Sequence, residues 1–217
     1  MDGAEPFAPA HPLIAELLRR HPGVRIPRTQ AVLEAAIPTI LEQKVIGIEA
    51  RYAYRRLLAE LGEPAPGPLP IRLPPTPARL CSTPYWRFHL WGVERRRAEI
   101  IIGAAQRAGR LEETVRMRPD EAARRLAAVP GIGPWSAAEI ARVALGDVDC
   151  VSVGDYHLPH QVSWALAGAA RGSDARMLEL LEPFRGHRAL VVRLIEVSGV
   201  QAPRRGPRLA LSRIAAI

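Results

Sequence analysis

A chain of 217 residues with 48% hydrophobic and 24% charged side chains can bury about two thirds of its unfolded surface with no metal or disulfide staple. Basic residues outnumber acidic ones by 30 to 22, a net charge of +8 with a pI near 10.6, which points to a polyanionic partner, nucleic acid first. Two cysteines are too few for a four-thiolate cluster or a zinc ribbon, and no uncharged apolar stretch approaches the roughly 18 residues that span a bilayer.

The N-terminus "MDGAEPFAPAHPL" lacks the basic segment and apolar run of a signal peptide. The expectation is a reduced, cytoplasmic, nucleoid-associated monomer with no membrane partner. Lys44 is the only lysine, so the other basic residues are all arginine. Codon bias from a GC-rich genome accounts for that preference, and guanidinium forks also suit phosphate oxygens; the two readings are compatible.

In chain order, helical periodicity predicts helices at 11–20, 30–44, 47–61, 94–109, 119–128, 135–145, 156–168, 174–182 and 187–199. In "IPTILEQKVIGIEA", Ile37, Ile40, Leu41, Val45 and Ile48 share a face, and Lys44 falls inside that stripe with its stem along apolar surface and its amine in water. The only strand signal, "DCVSV", reads as an extended link. Three stretches break the pattern. "GEPAPGPLPIRLPPTP" (62–77) reads as a semi-rigid loop between two helical halves. A tight turn occupies 130–134. The tail, 200–217, is basic and proline-containing, and is either flexible or laid along a phosphate backbone. The fold class is all-α: one two-lobed helical domain with a helix-hairpin-helix motif and a cleft between the lobes. The lobes are expected at roughly 1–75 plus 170–200, and 76–169.

"VPGIGPW" between two helices makes the hairpin. Glycine permits positive φ and leaves amides uncovered, Pro134 fits the first turn of the next helix, and free amides at a helix start bind phosphate. A tight connection with no ligand is the alternative; the basic charge and the acidic motif downstream favour the phosphate site. In that motif, "SVGDYHLP", Asp155 suits either a helix cap or a catalytic carboxylate. His157 and His160 lie one turn apart with no third ligand at a metal-binding spacing, which reads as surface or DNA-backbone contact.

The stretch "LAAVPGIGPWSAAEIARVALGDVDCVSVGDYHLP" resembles the helix-hairpin-helix, Gly/Pro-rich loop and aspartate signature of the base-excision DNA glycosylase superfamily. Within it, the chain is most similar to the alkyladenine branch, of the bacterial 3-methyladenine DNA glycosylase II type. The likeness runs upstream through "IPTILEQKVIGIEARYAYRRLLAELG" and "GVERRRAEIIIGAAQRA", and downstream to "PFRGHRALVVRLIE", about residues 28 to 198. The amino-terminal β-domain of some members has no counterpart in this sequence.

The resemblance implies an enzyme that flips a damaged base from duplex DNA and hydrolyses its N-glycosidic bond, with Asp155 as the catalytic aspartate. It implies a base pocket of Gln43, Trp135, Glu139 and Phe184, and DNA contacts at Gly131, Ile132, Gly133, Lys44, Tyr156 and Arg185. Lyase relatives carry a Schiff-base lysine two residues after the second hairpin glycine; Trp135 stands there, so the expected enzyme is monofunctional. Lys44 replaces a leucine wedge and suggests a phosphate or base contact instead. Phe184 replaces a tryptophan, and Glu139 an aromatic, which either favours a cationic base or faces solvent. No cofactor is implied beyond a Na⁺ or K⁺ ion on the carbonyls of Val129 and Ile132. The alternatives are a non-catalytic helix-hairpin-helix DNA-binding protein and a glycosylase for mispaired or deaminated bases.

Overall fold

The computed structural model describes residues 7–203; most of the 200–217 tail lies outside that range. Twelve α-helices follow in order: α1 (Pro12–Arg20), α2 (Val32–Leu41), α3 (Gly47–Leu61), α4 (Pro77–Ser82), α5 (Tyr85–His89), α6 (Arg95–Gln106), α7 (Ala108–Glu112), α8 (Pro119–Ala127), α9 (Pro134–Ile140), α10 (Leu158–Ala167), α11 (Asp174–Leu181) and α12 (Arg188–Ser198). Among the described residues there is no strand, and a single bridge joins Pro64 to Arg72. "DCVSV" is an extended link, as expected.

Local chemistry sets the helix ends. Proline opens α1, α4, α8, α9 and α10, where its missing N–H has no partner to lose. Thr76 caps α4 and Ser173 caps α11 through their side-chain oxygens. No capping side chain precedes α2; instead Glu112 accepts the Val32 and Leu33 amides at 3.0 and 2.9 Å from 80 residues away. α2 stops at Leu41, whose carbonyl accepts from the buried guanidinium of Arg97 at 2.8 Å. Burial lowers the Arg97 pKa.

The buried side chains fall into two clusters. The first surrounds α2, with Ile37 and Ile40 packed among Leu57 of α3, Ile101 of α6 and Ile140 of α9. The second joins Ile14 and Leu17 of α1 to Val162, Met177, Leu181, Leu194 and Ile195. This corrects the expected lobe boundary. Residues 32–75 do not group with 170–200: α2 and α3 share the first cluster with α4 to α9, while α1 packs with the C-terminal helices. Loop 62–77 is likewise no link between halves, because Leu61 before it and Leu80 after it lie in the same cluster. Arg72 donates to the Gly62 carbonyl at 2.8 Å and folds the loop back on itself.

Three further differences concern helix bounds. The helix predicted over 30–44 ends three residues early, so Lys44 lies in a turn with φ +57° and is exposed, on no helical stripe. The helix predicted over 135–145 runs to Ile140 and then widens into a π-turn, Ala141–Leu145, closed by Gly146 in the left-handed region. Thr29 and Gln30 donate to carbonyls of that turn at 3.1 and 2.9 Å. Helices α4, α5 and α7 were not predicted; each has six residues or fewer, too short for a periodic signal.

Candidate active site

The hairpin joins α8 to α9. Ile132 donates to the Val129 carbonyl at 3.0 Å, tightening the turn. Gly131 has φ +89°, and a Cβ there would come within 2.4 Å of Ile100 on α6, so the turn rests directly on that helix. Gly133 is extended at φ −88° with open space around it; positive φ is therefore a property of Gly131 alone. Both glycines are exposed, and among the described residues neither amide has an internal acceptor. Ile132 is 3% exposed, so its side chain is core and only its backbone faces outward chemistry.

The α2–α3 turn is bound to this hairpin. Gln43 donates through Nε2 to the Gly131 carbonyl and to Ser136 Oγ, both at 2.9 Å. Gln43 thus fixes one side of the turn, and Lys44, the next residue, is exposed.

Beyond the π-turn, residues 147–155 run back along one face of α9. Trp135, Ala138, Glu139 and Arg142 recur at three- and four-residue spacing on that face. The link meets three of them: Cys150 Sγ lies against the Ala138 carbonyl at 3.4 Å, Ser152 Oγ donates to Glu139, and Asp155 accepts from the Trp135 indole Nε1 at 3.0 Å. Burial raises the pKa of the Cys150 thiol and keeps it neutral. Gly154 at φ +91° makes the last bend, its amide held by Asp174 of α11 at 3.1 Å. Asp155 Oδ1 accepts the His157 and Leu158 amides at 2.7 and 2.8 Å. Asp155 therefore does cap the start of α10, while Oδ2 is turned to the tryptophan. Trp135 belongs to α9 of the first cluster and Asp155 leads into Leu158 of the second, so the pair spans the junction of the two.

The remaining expected residues divide. Tyr156 is 77% exposed, its ring edge-on to His157 and His160. His160 Nδ1 accepts the Gly172 amide at 3.0 Å, a structural task. Glu139 is neither a free pocket wall nor solvent-facing: it pairs with Arg142 at 2.5 Å, each side chain 20% exposed, and takes the Ser152 hydroxyl as well. Phe184, expected as a wall, is 5% exposed in the second cluster, 6.5 Å from the rings of Phe7 and His11. It sits on a 3₁₀ turn whose apolar side is drawn inward. Arg185 is bound in an exposed pair with Glu182. Two surface depressions, about 450 and 420 Å³, are lined by Gln106, Arg107, Gly109 and Arg110, and by Met117, Glu121, Arg124, Arg125 and Ala128; Asp155 lines neither.

Sequence reading missed Ser136, Asp174 and Glu42. The first two act through contacts 93 and 20 residues away in sequence, which no local pattern announces. Glu42 has more than a third of its surface open, yet partial burial and the charge of Glu139, with a smaller contribution from Asp155, raise its pKa against the pull of Arg51 and Arg142. Among the described residues no group of three or more His, Cys, Asp and Glu is placed to hold a metal, and no helix is long and apolar enough to cross a membrane.

No protein-family model matches the chain, and no curated protein matches its sequence. Solved structures match its fold. It is similar to a 3-methyladenine DNA glycosylase from Archaeoglobus fulgidus, with TM-score 0.73 and 24% identity, over 83% of this chain and 63% of that one. It is similar to the Schizosaccharomyces pombe 3-methyladenine DNA glycosylase in complex with abasic DNA, with TM-score 0.71 and 17% identity, over 88% of this chain and 92% of that one. A Clostridium acetobutylicum 8-oxoguanine glycosylase/lyase in complex with double-stranded DNA matches at TM-score 0.70 and 17% identity, over 85% of this chain and 64% of that one. The chain spans just under two thirds of the archaeal and clostridial chains. Its architecture is that of the helix-hairpin-helix DNA glycosylases, the fold the sequence resemblance implied.

Proposed function

We propose that the protein is a monofunctional DNA glycosylase that flips alkylated purines of the 3-methyladenine type out of duplex DNA and hydrolyses their N-glycosidic bond. The observation that carries this reading is the Trp135–Asp155 hydrogen bond, 3.0 Å long, immediately behind a hairpin with two free amides.

The chemistry follows from those groups. The Gly131 and Gly133 amides take a phosphate beside the lesion and fix the strand. A cationic purine leaves readily with the electrons of the C1′–N bond, so the costly species is the sugar oxocarbenium ion. The Asp155 carboxylate stabilises that charge where water is excluded and accepts the proton of the water that adds to C1′. Its three hydrogen bonds hold it in place, and Trp135 offers a ring face to an electron-poor base. Extruding the base costs a few kcal/mol, least for a damaged one. Trp135 where lyases need lysine supports hydrolysis alone. The Val129 and Ile132 carbonyls are neutral oxygens suited to a monovalent ion; Val129 oxygen already accepts the Ile132 amide, and no step depends on the ion.

Glu139 and Phe184, both engaged elsewhere, favour a second reading, a DNA-binding protein without chemistry. Duplexes carrying single lesions separate the two. Free 3-methyladenine or another alkylated purine detected by mass spectrometry supports the enzyme; salt-sensitive binding with no base released from any lesion supports the alternative. Release of deaminated or mispaired bases alone would move the specificity, and borohydride trapping would expose a lyase.

A further inference from the structure

The outer face of α3 carries two arginines, Arg55 and Arg56, that no ion pair among the described residues engages. Ala50, Ala53, Leu57 and Leu61 are its buried stripe. Ile48, Arg51, Tyr52, Arg55 and Arg56 stand on the other side and are all exposed, Ile48 at 55% and Tyr52 at 51%. Arg56 lies over the Tyr52 ring at 5.7 Å. Arg51 folds back along the helix, close enough that a Cβ on Gly47 would meet its Nη1 at 3.0 Å. That brings it toward Lys44 and the turn Gln43 fastens to the hairpin.

On several other helices, exposed arginines are paired within the helix. Arg19 and Arg20 pair with Glu16, Arg95 with Glu99, Arg124 with Asp120, and Arg176 with Glu179, each within one helical turn. Arg55 and Arg56 form no ion pair among the described residues; Glu60, the acid nearest in sequence, is 3.5 Å from Arg87. Arg51 and Arg55 are moreover a like-charge pair at i and i+4, which opposes the helix unless an anion lies across both. They are about 6 Å apart along the axis, near the rise of two nucleotides on one strand, about 7 Å.

We propose that this face is a second DNA-backbone contact, continuous with the hairpin through Lys44, where Arg51, Arg55 and Arg56 take phosphates outside the lesion and Tyr52 lies against the sugar edge. This rests on the DNA-binding half of the function proposed above and is independent of its chemistry.

The test uses the full chain and a labelled 25-base-pair duplex, with and without an abasic site, titrated across a salt series. Arg55→Ala/Arg56→Ala should weaken binding to both duplexes and reduce the slope of log K against log salt by about 1.8, the value for two phosphate contacts. Arg55→Glu/Arg56→Glu should weaken binding further. Arg19→Ala/Arg20→Ala, the same charge change on α1, should leave the slope unchanged. An unchanged slope in both α3 variants, or a loss matched by the α1 control, overturns the proposal. The α3 effect with no base release from wild-type protein sinks the base-excision reading and leaves this one standing. Base release with no α3 effect does the reverse.

Discussion

Trp135 ties the catalytic proposal to a single atom, its indole Nε1, because that nitrogen holds the Asp155 carboxylate from across the cluster junction. Trp135→Phe keeps the ring and removes the donor. A lost hydrogen bond to a charged carboxylate is worth about 1.5–3 kcal/mol, so single-turnover base release should fall by about 10- to 100-fold while duplex affinity barely changes. The two hairpin glycines should respond unequally. Gly131→Ala meets Ile100 and requires a positive φ, so urea unfolding should show a loss of about 2 kcal/mol or more. Gly133→Ala has open space and an ordinary φ, and its stability should stay within about 0.5 kcal/mol. The sequence shows two similar glycines in "GIG"; the positive φ of Gly131 and the approach of α6, about thirty residues upstream, separate them.

At the scale of elements, the link from the π-turn to α10 is held at both ends. Asp149 Oδ1 accepts from the Gly186 amide and from the Arg188 amide and Nε, and its Oδ2 meets Arg188 Nη2 at 2.6 Å, locking the link to the start of α12. Burial works against its charged form, but the Arg188 fork and the amides outweigh it and hold the carboxyl below its ordinary 3.8. A depressed folded-state pKa gives stability that is present above the unfolded value and lost as pH falls through the folded one. Asp149→Asn should therefore cost about 2 kcal/mol at neutral pH, with the gap to wild type closing as the pH drops below about 3.8. Denaturant unfolding across pH 2–7 reads both. The cap on α2 yields a second test. Glu112→Ala strands the Val32 and Leu33 amides and should lower stability by about 1–2 kcal/mol. Long amphipathic helices such as α3 and α12 are legible because their apolar spacing repeats. The end of α2 is not, since it depends on Arg97 reaching the Leu41 carbonyl from α6, and the helical pattern of "ILEQK" runs straight through.

For the whole molecule, the all-α class and the hairpin were legible because both rest on local signals: periodicity, and a Pro–Gly turn between helices. The partition of the chain was not. Chain order assigned α2 and α3 to the N-terminal lobe with 170–200, yet α2 packs on α6 and α9, and α3 packs on α2. The site shows the same division. The hairpin and the Asp155 cap are spaced a few residues apart and could be found; the engagement of Glu139 with Arg142 and Ser152, and of Phe184 with Phe7, is a matter of tertiary packing. In the proposed function, the carboxylate held at this junction performs the chemistry. Asp155→Asn keeps an oxygen for the His157 and Leu158 amides and removes the charge. With saturating enzyme on a duplex bearing one 3-methyladenine, base release should fall by at least about 100-fold, while affinity for an abasic duplex stays within about threefold of wild type. Release by Asp155→Asn at a rate near that of wild type would contradict it.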